Sequence, residues 1–195
     1  MKKLLILLAT FSSLTYAAET TSVYTLDNTH SFVEFNYNHF GYSNPSGKWL
    51  ANGTINLDDK DVAKSKVDIT IQVESIVTGV PALDHHLLSA DFFDAEKYPT
   101  ATFVSSKITD VKHKGKSFKL VGDLTLHGVT KPVTLDVVAN EHKPNPMSQR
   151  DTIGYSATGL IKRSDFGLGM FVPAVSDDVK LNIQLEVRLP KPQTK

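Results

Sequence analysis

What chemistry this chain could perform rests first on its seven histidines: His30, His39, His85, His86, His113, His127 and His142. No two of them have the HExxH spacing that sets a pair of imidazoles on one helical face around zinc. His85 and His86 are adjacent, so on a helix their rings leave in different directions and do not share an ion by themselves. Asp84 beside His85 offers an acid and a base, and a hydrolase built on His85 with a nearby carboxylate is one reading. The simpler role for an aspartate at that place is to cap a helix. No serine stands in a GxSxG context and no glycine-rich loop is placed to cradle phosphate. With no cysteine, thiolate chemistry, a disulfide framework and a lipidated N-terminal cysteine are all excluded. The residue types point to no catalytic constellation, no metal site and no cofactor.

The element that must position most of these groups is the stretch Asp84 to Pro99, DHHLLSADFFDAEKYP. It alone has helical spacing. Asp84 suits an N-cap, Leu83 and Leu88 suit a hydrophobic staple, Leu88, Phe92 and Ala95 fall on one stripe, and Pro99 stops the helix.

Everything else alternates as strands do. Val33, Phe35 and Tyr37 share a face, as do Trp49, Ala51, Gly53, Ile55 and Leu57, and then Val67, Ile69, Ile71 and Val73. Thr102 to Ile108 is a weaker strand that turns at Lys112 to Lys116. Phe118, Leu120, Gly122, Leu124 and Leu126 then pair by a bend at Gly128 with Val133, Leu135 and Val137. Glu141 to Asp151 reads as a loop, Ile153 to Ile161 as a strand, Arg163 to Pro173 as an irregular connection, and Val179 to Leu189 as the cleanest strand. Eight or nine long consecutive antiparallel strands favour a closed barrel over a sandwich. At ~3.3 Å per residue and ~40° of tilt, ten-residue strands make a barrel roughly 25 Å tall.

Alternation leaves open which face points inward. Apolar faces outward would make an outer-membrane barrel with a polar lumen. Apolar faces inward make a water-soluble barrel with a greasy interior, and the polar lysine-rich tail after Leu189, the scarcity of aromatic girdles and the amphipathic helix favour it. Small residues at Ala51, Gly53, Gly122, Ala157 and Gly159 either leave room inside or let the strands coil.

Lys plus Arg and Asp plus Glu are 21 each, so no general field draws the chain to nucleic acid or to anionic lipid. Residues 1–17 have the basic start, short apolar run and small-residue end of a cleavable secretory signal peptide. The apolar run is too short to span a bilayer, so stable membrane insertion is not expected. The expected organisation is one domain over 18–195 in an exported, periplasmic protein.

Five blocks carry a family resemblance: DNTHSFVEFNYNH (Asp27 to His39), SIVTG (Ser75 to Gly79), DHHLLSADFFDAEKYPTATF (Asp84 to Phe103), GDLTLHGVTKPV (Gly122 to Val133) and RSDFGL (Arg163 to Leu168). In this order they resemble the YceI-like family. The resemblance implies an all-β fold, an extended eight-stranded antiparallel lipocalin-like barrel with one short helical segment flanking or capping the pore. It implies binding without turnover of a polyisoprenoid or similar long-chain amphiphile, among them isoprenoid quinones, prenyl phosphates and fatty-acid amides, and often a homodimer. On that expectation Phe35, Tyr37, Trp49, Leu120, Leu124, Tyr155 and Ala157 line the tube. Leu88, Phe92 and Phe93 shape its entrance, and His39, Asp84 and His85 are head-group candidates.

Overall fold

The computed structural model describes residues 21–191, and the expected signal peptide at 1–17 lies outside them. Nine strands follow in order: β1 (Thr21–Leu26), β2 (Phe32–Asn36), β3 (Ser46–Asp58), β4 (Lys66–Gln72), β5 (Thr100–Lys112), β6 (Ser117–Leu126), β7 (Val129–Pro144), β8 (Asp151–Lys162) and β9 (Asp178–Arg188). One helix, α1 (Pro81–Leu88), interrupts them between β4 and β5. Strands β4 to β9 run side by side as an antiparallel meander, and β3 pairs with β4 to close the ring. Both β1 and β2 pair with β3 on one side and β9 on the other, so they share one stave. Nine strands thus make a closed barrel of eight staves, with no free sheet edge left to aggregate.

The break between β1 and β2 explains the first of the resemblance blocks. Ser31 is fully buried; its Oγ donates to the Glu186 carbonyl and accepts the Glu186 N–H, both at 3.1 Å, beside the 2.8 Å bond from the Asp27 N–H to the same carbonyl. The Asp27 carboxylate accepts from the Thr29 N–H at 3.2 Å and its Oγ1 at 2.7 Å, lies 2.7 Å from His30 Nδ1, and touches the Arg188 guanidinium. A buried backbone group without a partner is costly. This stretch is therefore a mend in the wall.

The apolar faces point inward. Along β9, Val179, Ile183 and Val187 are buried while Lys180 and Asn182 are exposed. The core is continuous from Tyr24, Ile55 and Phe118 through Leu135, Ile153 and Val187, the burial that drives the barrel shut.

Three expectations change. The helix covers Pro81–Leu88 and not Asp84 to Pro99: Pro81 occupies its first turn, where a missing N–H costs nothing, Val80 is the N-cap, and Ser89 ends it in an extended conformation. Asp84 is inside the first turn, where its carboxylate accepts from the Thr78 N–H at 2.8 Å and Oγ1 at 2.6 Å and so ties down the preceding loop. Phe92 and Ala95 sit in the turns that follow, so the single stripe does not exist. Second, β7 continues to Pro144, because the β7–β8 hairpin pairs as far as Pro144 with Asp151 despite a bulge after Ala139. Third, the inward glycines make room for neighbours. A Cβ on Gly122 would meet the Phe103 ring at 2.5 Å, and one on Gly159 would meet Leu135 at 2.6 Å. A Cβ on Gly53, at φ +143°, would fall 2.1 Å from the Asp68 carbonyl oxygen, so this position has no room for a side chain.

Candidate functional site

The barrel encloses two cavities that meet. The upper one, at the end carrying α1, has a volume of about 480 Å³; the lower one is about 110 Å³. Val33, Ile71, Leu124 and Leu181 wall both, so a wide chamber adjoins a narrow channel at the level of these four side chains. The chamber is large enough for a ligand of drug-like size or for much of a chain.

The aromatics of β2 and β3 build one side of the chamber. Phe35 lies 4.5 Å from Trp49 and 6.2 Å from Tyr37 between ring centroids, and Phe93 meets Trp49 edge-on at 5.4 Å. Phe92, from the turns after α1, approaches Phe171 at 6.2 Å, joining that segment to the loop that follows β8. Phe35, Tyr37, Trp49, Phe92 and Phe93 therefore all wall the chamber, with Leu124 at its floor. Leu120, Tyr155 and Ala157 wall the channel, where burial pushes the Tyr155 hydroxyl up to about 12.

Leu88 is misplaced in the expectation. It packs against the cluster of Phe35, Ile76 and Val179, and it is Leu83 and Leu87 that face the chamber from α1. The reason is that α1 ends at Leu88, so no stripe runs on from it to Phe92 and Ala95, and the face that meets the chamber is that of Leu83, His86 and Leu87 at i, i+3 and i+4. That face leaves His85 exposed and puts His86 on the chamber wall, 4.9 Å from the Phe92 ring. Asp84 is spent on Thr78. Of the three head-group candidates only His39 is on the chamber wall.

Arg163 was missed. It follows β8, is 9% exposed, and walls the chamber beside Tyr37. Nε donates to the Ser176 carbonyl at 2.9 Å, one terminal nitrogen to the Val175 carbonyl at 2.8 Å, and the other to the Leu168 carbonyl. Burial lowers its proton affinity, with Asp177 and then Tyr37 acting the other way. Burial likewise raises the Tyr37 hydroxyl, partly offset by the Arg163 charge. The sequence signal was the lone arginine opening RSDFGL after a strand.

Among the described residues two histidine–carboxylate pairs form, His30 with Asp27 and His142 with Asp151 at 2.9 Å, and neither pair is on the wall of either cavity. The ligand atoms of Asp27, His30 and Glu186 lie within 4.8 Å of one another, but the Arg188 guanidinium already contacts both carboxylates and supplies their positive charge.

An antiparallel barrel closed around an apolar lumen and flanked by one short helix belongs to the lipocalin-like class. Within that class the chain belongs to the YceI-like family, whose domain model matches residues 24–187. It is 40% identical over 191 residues to protein YceI of Escherichia coli, covering 95% of this chain and 97% of that protein. The crystal structure of Burkholderia cenocepacia BcnA superposes with a TM-score of 0.73 at 26% identity, covering 83% of this chain and 98% of the other. A polyisoprenoid binding domain from Saccharophagus degradans superposes with a TM-score of 0.62 at 19% identity, covering 86% and 98%, which establishes shared fold.

Proposed function

We propose that this protein is a periplasmic carrier that holds a polyisoprenoid or similar long-chain amphiphile inside the barrel, without turning it over. The observation that carries this reading is a chamber of about 480 Å³ inside the barrel with an apolar channel adjoining it. Each methylene of a tail withdrawn from water into such a lumen is worth ~0.8 kcal/mol, so a long chain that fits is held tightly with few polar contacts. The family membership and the fold shared with a polyisoprenoid binding domain support the same ligand class. A homodimer is part of the proposal.

The hydrolase alternative places chemistry on His85, which is exposed and has no carboxylate within salt-bridge reach among the described residues. The outer-membrane alternative needs apolar faces outward, the reverse of the burial along β9.

The test is to purify the mature protein from its native periplasm, extract it with organic solvent and identify the lipid by mass spectrometry. One class of long-chain lipid at stoichiometric level is expected. Protein that comes out of the periplasm with no lipid near one equivalent would sink the carrier reading.

A further inference from the structure

Five residues with polar side-chain groups line the chamber: Tyr37, His39, Trp49, His86 and Arg163. None is a carboxylate or an amide. Every one offers a donor, and one is a permanent cation.

Arg163 is the strongest indicator. Its three bonds to the carbonyls of Leu168, Val175 and Ser176 use three of the five guanidinium N–H groups. No carboxylate oxygen comes within 4.0 Å of it among the described residues. Asp177 is nearby, but it accepts from the Ser164 N–H and Oγ, both at 2.8 Å, and lies 4.0 Å from Lys162. Buried charges in proteins are ordinarily paired, because the loss of hydration is otherwise uncompensated. A further donor stands idle on the same wall: the Tyr37 hydroxyl makes no hydrogen bond among the described residues.

We infer that the chamber seats an anionic oxygen head group, a carboxylate or a phosphate monoester on a long apolar tail, with Arg163 as its counter-charge and Tyr37 as a second donor. The tail then runs past Val33 and Leu124 into the channel. This rests on the carrier reading and names its ligand class: a quinone or a fatty-acid amide would accept hydrogen bonds but leave the guanidinium without a counter-ion. A charge-assisted bond is about twice as strong as a neutral one, and more so away from water.

The experiment uses delipidated full-length mature protein and four probes with one tail: hexadecanoic acid, hexadecyl phosphate, hexadecanol and hexadecanamide. Trp49 is the sole tryptophan and walls the chamber, so its emission reports binding directly. At least one acid is expected to bind about tenfold or more tightly than the alcohol and the amide; which acid binds more tightly separates the carboxylate from the phosphate. Arg163→Gln should erase that preference, read as the ratio of acid to alcohol affinity within the same variant. Because Arg163 also ties its loop, Tyr37→Phe is the companion variant, expected to cut the preference severalfold with the fold intact. Equal affinity for acids and alcohol in the unmodified protein overturns the inference and leaves the carrier reading standing. Failure of all four to bind a folded protein overturns both.

Discussion

The two halves of the lumen are built from the same strands and yet do different work. In the channel, side chains from facing staves interdigitate; Phe118, Leu120, Leu135 and Ile183 are all buried and leave only about 110 Å³. In the chamber the wall is completed by segments outside the sheet, the α1 region and the loop after β8, and about 480 Å³ stays open. Side chains that meet across a barrel fill it, whereas aromatics braced from the rim can hold a space. The channel is then mainly core, and the chamber mainly site. Stability belongs to the first and selectivity to the second.

The largest test of that division is Phe118→Ala. Removing a buried ring from the channel should cost about 3–5 kcal/mol in chemical denaturation. The paired change, Phe92→Ala on the half-buried chamber wall, should cost less than about 1.5 kcal/mol while weakening lipid binding measured by Trp49 emission. Comparable stability losses at the two positions would dissolve the distinction.

Next in size is Ala157→Phe, which fills the channel from a wall position. Overpacking should cost about 1–3 kcal/mol, and preference should move to shorter tails, each excluded methylene forfeiting ~0.8 kcal/mol. Unchanged chain-length preference in a competition series would show that the tail never reaches the channel.

A smaller effect sits at the mend in the wall. Burial raises the Asp27 carboxyl, but hydrogen bonds from Thr29 and His30 and the Arg188 charge outweigh it and bring it down to about 2. A carboxyl depressed in the folded state stabilises the fold above its unfolded value near 3.8, and that contribution is lost as pH falls through about 2. It amounts to at most about 2 kcal/mol. Asp27→Asn should flatten this part of the acid limb in pH-dependent denaturation, and an acid limb identical to that of the unmodified protein would place the titrating group elsewhere.

Much of the barrel was legible because strand alternation is a local property: β9 repeats every second residue, and its faces need no knowledge of partners. The helix was half legible. Its apolar residues were visible, but it starts at Pro81, upstream of the chosen cap, and ends at Leu88, so the face of Leu83, His86 and Leu87 meets the chamber and not a stripe of Leu88, Phe92 and Ala95. Gly122 and Gly159 were visible as small residues, yet whether their space goes to a ligand or to Phe103 and Leu135 depends on strands far away in sequence. Arg163 stood at the head of RSDFGL after a strand, but its burial depends on the Leu168, Val175 and Ser176 carbonyls that the following loop folds back onto it.

By itself, then, the amino-acid sequence determined the strands, their apolar faces and the family, since these follow from periodicity and ordered blocks. Only the tertiary structure decided that the apolar faces turn inward, that β1 and β2 share one stave, and that the lumen is wide at one end. Those outcomes depend on which residues meet across the barrel, and closure brings together side chains more than a hundred positions apart, as it does Tyr37 and Arg163.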